Sequence, residues 1–217
     1  AYIDYERKRR EYSNQAFPIR RGIGMAIFWY NTAVWPISLE SSSCRMVLNQ
    51  DGSIQLQMGE TEIGQGADTA FAQMAAETLG IPFSDVHVVS TQDTDITPFG
   101  TGAYASRQTY VGGFAIQQTA SMLRDRILSY AHELTRMPVC NLNIVDGKIV
   151  RIPDGRELMT LGELATEALY SLTHSEHLTS ESTYQIKTNA YSFGCAFAEG
   201  EVDIPLCKVK LLNIVNV

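Results

Sequence analysis

The sequence has few of the features that indicate a protein-held metal centre or a membrane anchor. Its 217 residues include only four cysteines, which lie far apart and form no C-x-x-C pair, and four histidines. A zinc site or iron–sulfur cluster held by this chain alone is therefore not expected, and the cysteines are predicted to be buried free thiols of a cytoplasmic protein. The sequence shows no signal-peptide pattern and no apolar run long enough to span a bilayer.

Positive charge is also scarce. The net charge is −7, which argues against nucleic acid as the main partner, because phosphate-binding surfaces usually carry a basic excess. The one basic cluster, residues 7–10, lies between Glu6 and Glu11. This pattern is typical of the solvated face of a charged helix, with a binding patch as the alternative.

The familiar catalytic motifs are missing as well. We find no G-x-S-x-G elbow, no H-E-x-x-H helix and no G-x-x-x-x-G-K-[ST] phosphate loop. Glu60 and Glu62 flank Thr61 in a loop, and they are not expected to pair as acid and base. A site without its own nucleophile or base suits a cofactor that brings its own reactive atom.

Two loops rich in small residues stand out instead. The first is G-E-T-E-I-G-Q-G at residues 59–66, and the second is P-F-G-T-G-A-Y-A-S-R-Q-T at residues 98–109. Each precedes a helical pattern, and glycine lets a ligand approach the main chain, whose free amides at a helix start attract anions. The pair is predicted to cradle a polar, phosphorylated ligand. The alternative is that both are ordinary turns.

The remaining pattern predicts an α+β fold in which hairpins and a mixed sheet pack against helices. Strand pairs and helices alternate twice, which allows two similar lobes. Residues 1–20 are predicted to be a charged helix and linker, residues 21–30 a buried strand, and residues 172–187 a surface excursion. The other predicted elements are hairpins at 44–58 and 141–152, helices at 67–79, 106–137 and 160–170, a strand at 86–90, and a terminal strand pair at 193–203 and 208–217.

At the two loops the sequence resembles the molybdenum hydroxylases, the family of xanthine dehydrogenase and aldehyde oxidoreductase, and specifically their molybdenum-cofactor-binding subunit. Residues 62–69, E-I-G-Q-G-A-D-T, look like the family's E-[MI]-G-Q-G-x-x-T segment. The A-S-R-Q-T loop at residues 105–109 keeps the family's order and spacing. The likeness covers nearly the whole chain and is most specific over residues 21–113.

The resemblance implies molybdenum–molybdopterin as the cofactor, as such or as a dinucleotide, with iron–sulfur clusters and FAD on partner subunits or domains. It implies hydroxylation of an electron-poor carbon, as in purines or aldehydes, with water as the oxygen source. Pterin contacts are implied for one group of residues, in which the second loop acts mainly through main-chain N–H groups and the Ser106 hydroxyl. These residues are Gly64, Gln65, Tyr104, Ala105, Ser106 and Gln108.

Two departures from the family limit what the chain holds. The family's general-base glutamate lies well downstream, so it is expected beyond Val217, and an upstream G-G-x-G-G segment is absent. Residues 21–217 are therefore predicted to be a truncated cofactor-binding domain from the interior of a catalytic subunit, inactive alone. Purine-oxidising relatives place a Phe in the segment matching residues 31–36, where this chain has Val34 and Trp35 as candidate substrate contacts. Trp35 would supply a stacking surface or belong to the core.

Two further hypotheses remain open. The first is a non-catalytic domain of the same fold, with Trp29, Tyr30, Trp35 and Phe99 exposed for binding a ligand or a partner subunit. The second is a phosphate-binding enzyme of unrelated mechanism. The leading prediction is a cofactor-binding piece of a molybdenum hydroxylase with a small-molecule substrate, oligomeric in its parent enzyme and with no membrane or nucleic-acid partner.

Overall fold

The computed structural model describes residues 2–37, 40–89 and 93–217. The chain divides into two units, one formed by residues 1–31 with 190–217 and the other by residues 32–189. Each contains helix and strand, which confirms the α+β class. The units differ greatly in size and in their elements, so they are not the two similar lobes that the sequence pattern allowed.

The small unit is a three-stranded sheet with one helix. Helix α1 spans Tyr2–Glu11, and the sheet has the order β1-β9-β10, formed by Ile19–Thr32, Ala190–Asp203 and Lys208–Asn216. Strands β9 and β10 are antiparallel, which confirms the terminal strand pair predicted from the sequence. Helix α1 contacts the sheet through the Tyr5 and Phe197 rings, whose centroids lie 5.5 Å apart.

The prediction that residues 21–30 form a buried strand is right about the strand and wrong about its burial. Ile27 and Trp29 of β1 are 71% and 69% exposed. A Cβ atom added at Gly22 or Gly24 would meet nothing within 4 Å, so these glycines serve no close packing among the described residues. A continuous apolar run is typical of a strand that other elements cover on both faces, but the run alone does not show that such elements are present.

The large unit is built on a four-stranded sheet in the order β4-β3-β2-β8. Strands β2 and β3 form an antiparallel hairpin in which buried and half-buried side chains alternate, as the period of two predicts. The strands are Ser41–Leu48 for β2, Ile54–Met58 for β3, Val86–Val89 for β4 and Thr179–Gln185 for β8. Strand β4 runs parallel to β3 because helix α2, Ala67–Leu79, connects them.

Strand β8 contradicts the prediction that residues 172–187 are a surface excursion. It pairs antiparallel with β2 along its whole length. Strand β8 has the polar sequence T-S-E-S-T-Y-Q because it lies at the edge of the sheet, where alternate positions face solvent. The apolar alternation that predicts a strand is therefore missing. On the inner face the Ser182 hydroxyl lies 2.6 Å from the Thr119 hydroxyl of helix α3, Gly113–Thr135.

A second sheet and a short helix complete the large unit. The sheet has the order β5-β6-β7, and helix α4 follows it, so that one hairpin predicted from the sequence gains a third strand. The elements are Leu142–Val145, Lys148–Arg151 and Arg156–Thr160 for the strands and Leu161–Tyr170 for the helix. The capping box predicted at the start of α4 is present, with Thr160 and Glu163 each accepting the other's backbone N–H.

The cysteines are only partly as predicted. Cys44 is fully buried in the core, and this burial raises the pKa of its thiol to about 12. Cys140 and Cys207 are exposed, so the expectation of buried thiols is wrong for both. Among the described residues, no helix has the length and apolar character needed to cross a membrane.

Candidate cofactor site

The two glycine-bearing loops meet through their backbones. Strand β3 ends at Met58 and leads directly into the first loop, where Gly59 lies against Gly100 of the second. A Cβ atom added at Gly59 would lie 2.3 Å from both the Gly100 nitrogen and the Pro98 carbonyl oxygen. Only glycine permits this approach, so these two glycines join the loops rather than admit a ligand.

Side-chain hydrogen bonds between the loops bring two of the predicted site residues together. The Gln65 Nε2 donates to the Gln108 Oε1 at 2.6 Å, and both Nε2 atoms donate to the Thr61 carbonyl oxygen at 3.0 Å. Gln108 opens a single π-helical turn, Gln108–Gly112, that leads into α3. Such turns are frequent at functional sites because they displace side chains from the regular helical spacing.

Glu62 occupies the N-terminus of α2. One carboxylate oxygen accepts from the Gly64 and Gly66 amides at 2.7 and 3.1 Å, and the other accepts from the Asp68 amide at 3.1 Å. These bonds, the Asp68 amide first, lower the pKa of the Glu62 carboxyl. The expectation that the first loop offers these amides to a phosphate is therefore wrong, because a side chain of the chain itself already uses them.

Acid is expected to loosen the start of α2. Since the pKa of Glu62 is lower in the folded state, its contribution to stability is complete above the ordinary glutamate value of about 4.3 and is lost as the pH falls below it. Amide-exchange protection of residues 64, 66 and 68 should therefore fall in this acidic range, and Glu62→Gln should remove most of that pH dependence. Glu77→Gln, in the last turn of α2, is the matched control. Unchanged protection in acid for the unsubstituted protein would contradict the capping role.

The second loop holds two residues in the left-handed region. Ala105 and Ser106 have φ angles of 45° and 53°, which non-glycine residues adopt only where the surroundings fix them. The Ala105 carbonyl accepts from the Ala33 amide at 2.8 Å, and the Tyr104 hydroxyl lies 3.3 Å from the Thr101 hydroxyl. The loop is thus held in one unusual conformation, next to the segment that contains Val34.

The predicted substrate contacts directly follow Ala33, whose amide bonds to this loop. Val34 donates its amide to the Glu40 Oε1 at 2.9 Å and is half-buried. Trp35 is also half-buried and packs against a small core cluster that contains Ala33 and Ile186. Part of the indole therefore belongs to the core, as one of the two sequence interpretations held.

Arg107 is the site residue that the sequence analysis did not single out. Its side chain is fully buried and makes ion pairs at 2.9 Å with both Glu40 and Glu60. It also donates to the Gly102 and Ser41 carbonyl oxygens at 3.2 and 2.6 Å. Glu60 thus binds Arg107, whereas Glu62 accepts from amides at the start of α2. An arginine between small residues was the available signal, but nothing in the sequence indicated which carboxylates it meets.

Comparison with known families decides what this pair of loops belongs to. The molybdopterin cofactor-binding domain family matches residues 1–217, the whole chain. The chain belongs to this family. The resemblance noted at the two loops, and molybdenum–molybdopterin as the family's cofactor, are thereby confirmed.

Relatives of the molybdopterin-binding domain extend the match. The xanthine dehydrogenase molybdenum-binding subunit of Escherichia coli O157:H7 is 46% identical over 216 residues, which are 99% of this chain and 29% of that protein. The "Probable hypoxanthine oxidase" of Escherichia coli K12 is 31% identical over 190 residues, 88% of this chain and 19% of that protein. The chain thus spans less than a third of the length of these relatives.

Solved structures share the fold. Quinoline 2-oxidoreductase from Pseudomonas putida 86 superposes with a TM-score of 0.82 at 23% identity, covering 99% of this chain and 28% of that one. CO dehydrogenase from Oligotropha carboxidovorans gives 0.81 at 23% identity, with the same coverage. At this identity the likeness establishes the fold alone.

The residues present fit a pterin. Cβ atoms added at Gly64, Gly66 and Gly102 would meet nothing within 4 Å, so the main chain of both loops is open to a flat ligand. A pterin ring carries hydrogen-bond donors and acceptors on its edges. With the bonds described above in place, Gln108 Nε2 retains one N–H, and the Oε1 atoms of Gln65 and Gln108 each retain one lone pair. In the part of the chain that the structure describes, no cluster of three or more His, Cys, Asp or Glu side chains could hold a metal. The donor set thus suits the organic part of the cofactor.

Proposed function

We propose that this chain is the molybdopterin-binding part of a xanthine dehydrogenase-like molybdenum hydroxylase that oxidises purines, related N-heterocycles or aldehydes, with water as the source of oxygen. The relatives named for xanthine dehydrogenase and hypoxanthine oxidase favour a purine. In this proposal residues 21–217 are the cofactor-binding domain and residues 1–20 belong to a preceding region.

One observation carries the proposal. The Gln65–Gln108 hydrogen bond of 2.6 Å closes two loops whose neighbouring glycines leave the main chain open on the ligand side. When bound, the cofactor supplies the redox centre at which an electron-poor carbon is hydroxylated. The chain's own residues then hold and orient it. Gly64 and Gln65 contact the pterin, and residues 104–106 with Gln108 bind the pterin and its phosphate. Since Glu62 fills the amides at the start of α2, the phosphate is assigned to the second loop.

The remaining assignments follow the same proposal. Val34 and Trp35 border the substrate, and the general-base glutamate lies beyond Val217, so the 217 residues alone are inactive. Iron–sulfur and flavin subunits or domains take the electrons, and the parent enzyme is an oligomer. The cytoplasmic location stays a prediction.

Isotope-labelled water tests the reaction class. The full-length enzyme that contains this chain is incubated with xanthine in ¹⁸O-labelled water under ordinary oxygen, and the product is examined by mass spectrometry. We expect one labelled oxygen in each product molecule. Product whose new oxygen comes from molecular oxygen, or no oxidation of purines, N-heterocycles and aldehydes alike, would contradict the proposed activity.

The alternative of a non-catalytic interaction module gains no support from the aromatic residues on which it rested. Trp29 and Tyr30 are exposed in the small unit, whereas Phe99 is exposed in the large one. Trp35 is half-buried and packs on a core cluster. They therefore do not form one surface within either unit.

A further inference from the structure

We propose that Glu40, Arg107 and Glu60, here called the buried triad, are a positioning unit that couples the two cofactor loops to the segment bordering the substrate. The coupling itself is a claim about this chain's geometry. Its consequences for cofactor and substrate rest on the proposed function.

Arg107 uses every nitrogen of its guanidinium group, and its partners lie in three segments of the chain. Nε donates to Glu40 at 2.9 Å, Nη1 to both Glu60 oxygens at 2.9 and 3.0 Å and to the Gly102 carbonyl, and Nη2 to the Ser41 carbonyl. The planar group with its fixed fork of donors sets the relative positions of these partners. One side chain thus joins the first loop, the second loop and the start of β2.

Glu40 extends the connection to the substrate side. Its Oε2 accepts from Arg107, and its Oε1 accepts from the Val34 amide at 2.9 Å. Ala33, the residue before Val34, donates its amide to Ala105 of the second loop at 2.8 Å. The segment that carries Val34 is therefore fixed at two points, by Glu40 and by the second loop.

Burial makes the triad a rigid unit. All three side chains are 0% exposed, so water cannot replace a lost partner. The exposed pair Arg45–Glu181 on the same sheet, at 2.6 Å, is a contrasting case because solvent screens it. A lysine at position 107 would keep the charge but, as a single ammonium group, could not reach all the partners at once.

The two carboxylates give the triad separable effects. Glu60 adjoins Gly59 and Thr61 of the first loop, so Glu60→Gln is expected to act on the cofactor side. Glu40 holds Val34, so Glu40→Gln leaves either Val34 or Arg107 facing an amide nitrogen and is expected to act on the substrate side. A triad that only stabilised the fold would affect both sides equally.

The experiment uses the full-length enzyme with the variants Arg107→Lys, Glu40→Gln and Glu60→Gln, and Arg45→Lys as the matched control. Amide exchange is followed in residues 33–37, 59–66 and 100–108 of protein prepared without cofactor, and molybdenum content and KM for xanthine are measured on loaded protein. We expect Arg107→Lys to raise exchange about tenfold in all three segments together and to lower molybdenum content severalfold. Glu60→Gln should lower molybdenum content, Glu40→Gln should raise KM severalfold at nearly unchanged molybdenum content, and Arg45→Lys should change nothing.

Two results would overturn the coupling. One is a rise in amide exchange of Arg107→Lys in only one of the three segments. The other is equal effects of Glu40→Gln and Glu60→Gln on molybdenum content and on KM. If Arg107→Lys does not fold, the two glutamine variants decide the matter by themselves. The outcome is also distinct from failure of the proposed function. An unsubstituted enzyme without molybdenum contradicts that function, whereas the exchange measurement needs no cofactor and still tests the triad.

Discussion

Replacing Gly59 with alanine is expected to destabilise the large unit by about 3 kcal/mol and to separate the two cofactor loops. The added methyl group would lie 2.3 Å from backbone atoms of Pro98 and Gly100, and 2.8 Å from the carbonyl carbon of Phe99. Backbone cannot rotate away as a flexible side chain can, so the loops must move apart. Urea unfolding of the full-length protein measures the loss of stability, and molybdenum content measures the separation.

Gly100→Ala should behave alike, because its methyl group would lie 2.5 Å from the Gly59 carbonyl carbon. Gly22→Ala in β1 is the control, since nothing lies within 4 Å of its added Cβ and its φ angle is not positive. If Gly59→Ala lowers the free energy of unfolding no more than Gly22→Ala does, the backbones of the two loops are not in contact.

Gln65→Ala is expected to lower turnover of the full-length enzyme tenfold or more and to reduce its molybdenum content, because each lost hydrogen bond removes about 1 kcal/mol. Gln65 accepts from the Ile63 amide at 2.7 Å and donates to Thr61 and Gln108. Alanine removes all three bonds and leaves Gln108 bonded to the first loop only through Thr61. Turnover with xanthine and metal analysis of the same preparation give the two measurements.

The matched control is Gln73→Ala, an exposed glutamine on α2. It should leave turnover and metal content unchanged. If Gln65→Ala left both unchanged as well, Gln65 would have no part in holding the cofactor, and the non-catalytic hypothesis would regain support.

Local rules were sufficient for much of the fold. Helix α2 ends where predicted because Gly80 takes a φ angle of 80° and its amide closes on Ala76. Strands β5 and β6 join through Asp146 and Gly147, which both have positive φ angles, as the Asp-Gly pair predicts. A few neighbouring residues are enough to predict these elements.

Long-range contacts explain the misses. Whether a strand such as β1 is buried depends on elements distant in sequence, and β1 is exposed. Strand β8 is a strand only because β2 lies alongside it. Glycine composition likewise marked both loops without distinguishing their roles. Gly59 and Gly100 serve contact between backbones, whereas Gly64, Gly66 and Gly102 leave the main chain open.

The candidate site was predictable where it depended on motif and not where it depended on pairing. The motif selected Gln65 and Gln108, and the structure joins them at 2.6 Å. Arg107 meets Glu40 and Glu60 across 67 and 47 positions of chain, and no periodicity encodes such contacts. Glu62 belonged to the matched motif, but the motif did not indicate that its carboxylate would accept the amides at the start of α2.

Metal and pterin analysis of the unsubstituted full-length protein tests the central claim most directly. If the two loops are a molybdopterin site, purified protein should contain about one molybdenum and one pterin per copy of this chain, and both should fall together in Gln65→Ala. Folded protein with neither molybdenum nor pterin, from cells that load other molybdenum enzymes, would contradict it.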